Sequence, residues 1–192
     1  MQRVKIWFRE QWAYKKFCIL IWVMAGLTLV FGFEFYLFQY SAWKSIRYLT
    51  LFWVLGMIAW VDQGSKRIPN AVLADLLAVR TFLLILECLF NQKYWLSILI
   101  SAGLGMILGG GMFLLCFLIA RGGIGAGDVK LLGVIGYCVG GGAIFTLIFL
   151  TALLAALYSV LMLALKKTSL KQEIPFAPFV FAGTILTMML GV

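Results

Sequence analysis

Histidine is absent from this chain of 192 residues. With it go the serine-histidine-aspartate triad, the HExxH zinc site and haem ligated by imidazole, so any catalysis must come from carboxylates, Lys, Ser, Cys or Tyr. Cysteine pairs are lacking too. Cys18, Cys88, Cys116 and Cys138 each stand alone in an apolar run with no CxxC, which excludes a disulfide framework and a zinc site and leaves them as small buried apolar residues. Acid is scarce, with 7 Asp and Glu against 16 Lys and Arg. Charged residues make up only 12% of the chain and hydrophobic ones 64%, so an ordinary soluble domain is excluded. Short alternating segments are missing, and with them the signature of a membrane β-barrel.

What is present is a series of apolar runs, each near the roughly 20 residues that a helix needs to cross a bilayer. The expected fold is all-α, a polytopic transmembrane bundle of about seven spans at 17–38, 47–61, 71–90, 94–120, 128–139, 143–165 and 179–192. Residues 1–16 interleave Arg3, Lys5, Arg9, Lys15 and Lys16 with Trp7, Phe8, Trp12 and Tyr14. That pattern reads as an interfacial helix on an anionic leaflet, retained rather than cleaved because no small-x-small site follows. Residues 17–46 then form an extra span and its outer loop, and 47–192 a six-helix core. Gly140-Gly141-Gly142 is a turn or a kink. Three sets of small residues, Ser101/Gly105/Gly109, Gly136/Gly140 and Ala152/Ala156, offer faces for close helix packing.

The formal charge of +9 would suggest nucleic acid in a soluble chain. Here the basic residues sort by loop instead. With the N-terminus inside, the inner segments hold the five N-terminal cations, Lys66, Arg67, Arg121, Lys130, Lys166, Lys167 and Lys171, whereas the outer ones hold only Lys44, Arg47 and Lys93. That asymmetry is the positive-inside pattern, and it implies a cytoplasmic N-terminus, contact with membrane lipid and no nucleic-acid partner.

Ionisable groups in a membrane cost several kcal/mol unless paired or wet, so each acid raises a question of function. Asp75 and Arg80 share a span and are expected to pair, while Glu34 and Glu87 lie near outer ends and are expected to be solvated. Asp62 and Asp128 remain, two spans apart and therefore on the same face. Asp128 follows four glycines within six residues, Gly122 to Gly127, a segment free to adopt positive φ and to approach another backbone closely. It is placed to cap the next helix. Asn70, after Pro69, is a plausible cap for the third. Two carboxylates brought together titrate as a unit, and such a pair can hydrolyse an amide without histidine, metal or any other cofactor. Asp62 ends one helix and Asp128 begins another, so helix polarity makes Asp62 the more protonated partner.

These residues resemble a known family. Gly125-Ala126-Gly127-Asp128-Val129-Lys130-Leu131-Leu132 is similar to the GxGD motif of the type IV prepilin peptidases, membrane aspartyl proteases. Asp62, followed by Arg67-Ile68-Pro69-Asn70, resembles their first catalytic aspartate and its Ile-Pro-Asn segment, and Pro175-Phe176-Ala177-Pro178-Phe179 resembles their Pro-Phe-x-Pro-Phe segment before the last helix. The resemblance runs from about residue 50 onward. It implies Asp62 and Asp128 as catalytic residues, with Gly125, Gly127, Lys130, Pro69, Asn70, Pro175 and Pro178 forming substrate-binding or loop positions. It further implies cleavage, at the cytoplasmic face, of a short basic leader from pilin-like precursors just before their apolar helix. Paired CxxC motifs accompany N-methylation in many members, and their absence here argues against that activity. A small channel lined by Asp62, Asp75 and Asp128, or a silent component of pilus or secretion assembly, are the other classes that such acids allow.

Overall fold

A computed structural model describes residues 2–119, 125–165 and 174–191, with side chains from residue 15 onward. Seven helices and no strands are found among them: α1 (Gln2–Leu37), α2 (Ala42–Ser65), α3 (Asn70–Phe90), α4 (Trp95–Ile119), α5 (Ala126–Val139), α6 (Ile144–Ala164) and α7 (Ala177–Met189). Four of them, α1 from Lys15, α2, α4 and α6, are long and apolar enough to cross a membrane. Their outward faces carry large exposed side chains such as Trp22, Met57, Ile107, Phe149 and Val160, as a chain bathed in lipid requires. The molecule is a helical membrane bundle.

Two helices sit at its centre. The apolar window of α2 is 44% buried, against 11% for α1 and 17% for α4 and α6, because α2 packs on α1, α3, α5 and α7. Helix α5 is enclosed along most of its length, from Leu131 to Val139. With only 14 residues it is about 21 Å long, shorter than the roughly 30 Å hydrocarbon layer. Its close partner is α4. A Cβ at Gly105 would run into the Gly136 carbonyl, and one at Gly109 into that of Leu132, so glycine is what lets these two backbones touch. The register of this antiparallel pair places Asp128 level with residue 113 of α4. The six residues that α4 adds before Ile119 then rise about 9 Å past the start of α5.

Several sequence expectations change. Helix α2 begins at Ala42, earlier than 47, because Ser41 caps it, its Oγ accepting from the Lys44 N–H at 3.2 Å. It also continues to Ser65, so Asp62 lies in its last turn. The glycines at 140–142 form a turn, with Gly140 at φ 93° and the Gly141 N–H donating to the Ser101 carbonyl at 2.9 Å. Ala152 and Ala156 are exposed. The small-residue contact of α6 is instead Thr151 against Gly183 of α7. Of the cysteines only Cys138 is buried, and Cys116 is exposed. The basic segment from Gln2 and the first span share one uninterrupted helix, Gln2–Leu37. The loop positions Arg121 to Ile124 and Lys166 to Glu173 lie outside the described residues.

The expected Asp75–Arg80 pair does not form. Asp75 is exposed, whereas Arg80, whose side chain is 2% exposed, meets Glu87 at 3.2 Å. Glu87, expected in solvent, is a half-buried bridge, with Arg47 of α2 on the same oxygen at 3.7 Å. Arg80 Nε donates to the Tyr137 carbonyl at 3.2 Å. That carbonyl belongs to the last turn of α5, where no further amide follows to satisfy it. Arg80 therefore ties α3 to the buried C-terminal end of α5 and places a cation where its dipole favours one. Glu34 is not freely solvated either, since its Oε2 is buried with no hydrogen-bond partner among the described residues.

Candidate active site

Asp62 and Asp128 come to the same end of the bundle, on its two most enclosed central helices. Asp62 is 4% exposed. Its Oδ2 accepts from the Ala177 N–H at the start of α7, at 3.0 Å, and this is the one side-chain hydrogen bond the carboxylate makes among the described residues. Asp128 is half-buried and lies within electrostatic reach of Asp62.

Asp128 is not the cap of α5 but its third residue. Gly125 is the N-cap, and the two residues bond reciprocally. The Asp128 N–H donates to the Gly125 carbonyl at 3.0 Å, and the Asp128 Oδ2 accepts from the Gly125 N–H at 3.2 Å. The second bond is the acidic half of a capping box, with Asp in place of Glu, and glycine has no side chain to supply the other half. Gly125 has φ −77° and ψ 140°, an extended conformation open to any residue, so the freedom of positive φ is not used there. Glycine serves for clearance instead, because a Cβ would stand 3.1 Å from the Asp128 Oδ2. Gly127 faces Ile68, whose Cβ would be 3.4 Å from an added one.

Both carboxylates thus meet the positive end of a helix. The expected contrast, with Asp62 at a C-terminus and Asp128 at an N-terminus, is corrected by α7. A charge-assisted bond to a backbone N–H is worth about 1.5–3 kcal/mol, which outweighs the 0.3–1 kcal/mol that the C-terminal dipole of α2 costs.

The segment after Asp62 closes the site on one side. Lys66 adopts the left-handed conformation, φ 51°, and its N–H returns to the Asp62 carbonyl at 2.8 Å, ending α2. Pro69 is the N-cap of α3, extended at φ −70° and ψ 115°, and makes no side-chain bond. Asn70 is therefore the first residue of α3 rather than its cap. Its Oδ1 is left to accept from the Lys130 Nζ at 3.4 Å, which ties the strap after Asp62 to the helix that carries Asp128.

Pro175 and Pro178 bracket the start of α7. Pro178 lies in the first turn of α7. Phe176 packs on Phe113 of α4 with ring centroids 5.4 Å apart, and Phe179 on Tyr158 of α6 at 5.2 Å. The residues that sequence reasoning missed are Ala177, which acts through its backbone, and Ile68 and Phe113, ordinary apolar side chains. The only signal at Ala177 was its place between two prolines. Among the described residues no three His, Cys, Asp or Glu side chains gather as a metal site would require.

The profile of the type IV leader peptidase family matches residues 49–160, which takes in both aspartates, the Ile68-Pro69-Asn70 strap and the Gly125 cap. A prepilin leader peptidase/N-methyltransferase of Bacillus subtilis (strain 168) is 30% identical over 138 residues, covering 72% of this chain. The chain spans about half of that relative, 53% of its length. No solved structure matches the chain.

Proposed function

The chain belongs to the type IV leader peptidase family, and from that premise we propose that it is an aspartyl endopeptidase with Asp62 and Asp128 as its catalytic pair. Its substrates are pilin-like precursors, whose short basic leader it removes at the cytoplasmic face of the cell membrane. The supporting observation is the meeting of two acids from distant parts of the chain, each tethered by one oxygen to a backbone N–H at a helix start.

Such a pair shares a proton. The ionised member takes a proton from water while the water oxygen attacks the scissile carbonyl carbon, and the protonated member donates to the carbonyl oxygen. Collapse of the tetrahedral intermediate breaks the C–N bond, and the amine leaves with a proton returned by the pair. Recession of Asp128 below the tip of α4 suits a peptide bond just outside an apolar helix, the place where leader and pilin helix join. The basic residues of the loops support the inward orientation through the positive-inside pattern. The N-methylation named for the Bacillus relative is not carried over, since this chain has four single cysteines and no CxxC pair.

Co-expression with a pilin-like precursor tests the reading by gel shift of the precursor. The wild type is expected to shorten it, and Asp62→Asn and Asp128→Asn each to leave it full length. An intact precursor with the wild type, or trimming by both variants, would contradict the reading.

A further inference from the structure

The segment Pro175-Phe176-Ala177-Pro178-Phe179 has no part in the bond-breaking steps above, yet it touches one of the two acids directly. A helix start leaves its first N–H groups without intrahelical partners. In α7 those from Ala177 to Val180 are accounted for one by one. The N–H groups of Phe179 and Val180 both turn back to the Phe176 carbonyl, at 3.0 and 3.2 Å. Pro178 has no N–H to offer. The N–H of Ala177 is the donor left over, and it goes to the Asp62 Oδ2.

The surroundings hold that donor in place. Phe176 is braced on α4 and Phe179 on α6, so the turn is pinned on both flanks. Ala177 between them is fully buried, and its methyl group is the side chain this enclosed position carries. We infer that the start of α7 is a positioning element for Asp62: the Ala177 N–H fixes one carboxylate oxygen, and Pro178 keeps any second first-turn donor from competing for it. The other oxygen, Oδ1, is then presented to water and to Asp128 in one orientation. This rests on the catalytic assignment of Asp62 made above, and it gives the proline-bracketed motif a task distinct from substrate contact. Ala177 and Pro178 are positioning residues, acting through the carboxylate they orient.

The test removes the single hydrogen. Placing L-lactic acid at position 177 turns the amide into an ester, deleting the N–H and leaving the methyl group unchanged. The same exchange at Ile185, in the interior of α7, serves as a control that costs a helix bond far from Asp62. The ester at 177 is expected to lower kcat about tenfold or more with KM held within about twofold, because a charge-assisted bond used in the transition state is lost. The ester at 185 is expected to change neither. In parallel, the ¹³C carboxyl resonance of Asp62 is read without substrate, and is expected to move in the first variant and not in the second. An unmoved Asp62 resonance in a folded 177 ester overturns the inference whatever the cleavage result. A wild type that cleaves no precursor overturns the proposed function instead, and the carboxyl resonance still decides this one. Should the 177 ester not fold, the bond is read from its other partner, since Asp62→Ala is expected to shift the Ala177 amide proton upfield. An unmoved proton there overturns the inference equally.

Discussion

The two ends of this bundle both bury charge, and they do so in opposite ways. At one end, Arg80 and Arg47 both meet Glu87 within 3.7 Å, and Arg80 also reaches the Tyr137 carbonyl. At the other, two carboxylates lie within electrostatic reach of one another, and each has a single backbone N–H for company. The first arrangement answers its acid with cations and braces three helices. The second holds acid in place without neutralising it, at the cost of the stability that a partner cation would bring. Burial of a charged group in a membrane protein is therefore not enough to mark a site of chemistry. The two ends differ in whether an opposite charge answers the acid.

The comparison is broken most forcefully from the paired end. Arg80→Met leaves Glu87 with Arg47 alone and the α5 carbonyl open, and is expected to cost about 1–3 kcal/mol, the usual penalty for an unsatisfied buried acceptor. Thermal unfolding in detergent micelles measures it, and a loss below about 1 kcal/mol would mean that the ion-pair end does not brace α5. At the acidic end the sign should differ. Asp128→Asn relieves the like charge and keeps an oxygen for the Gly125 N–H, so its unfolding temperature is expected to match or exceed the wild type while cleavage is lost. The smallest effect is expected at Lys130→Met. Its 3.4 Å contact to Asn70 is exposed, worth about 0.5 kcal/mol or less, and unfolding of that variant should be indistinguishable from wild type within that margin.

Much of this was legible in the sequence, and the exceptions have physical causes. Apolar runs located all seven helices, and the glycine-flanked aspartate together with Asp62 located the acidic end. The partner of Arg80 was misread because proximity in sequence was used where helix geometry decides. Asp75 lies five residues away, about 140° around the helix, while Glu87 lies seven away, almost two full turns and so on the same face. The early start of α2 was hidden by Trp43, Lys44 and Arg47, which lower hydropathy without interrupting a helix that Ser41 caps. The Ala177 N–H had no side-chain signature at all. A backbone donor becomes visible only once the fold shows which carboxylate it faces, 115 positions earlier in the chain.

The account depends on Asp62 and Asp128 acting as one catalytic unit, and a double-mutant comparison of cleavage rates tests this most directly. Residues that act jointly are grossly non-additive. Asp62→Asn, Asp128→Asn and the double variant are expected to cleave a pilin-like precursor at the same residual rate. A double variant that is slower by the product of the two single losses would contradict the account, because the two carboxylates would then be contributing independently.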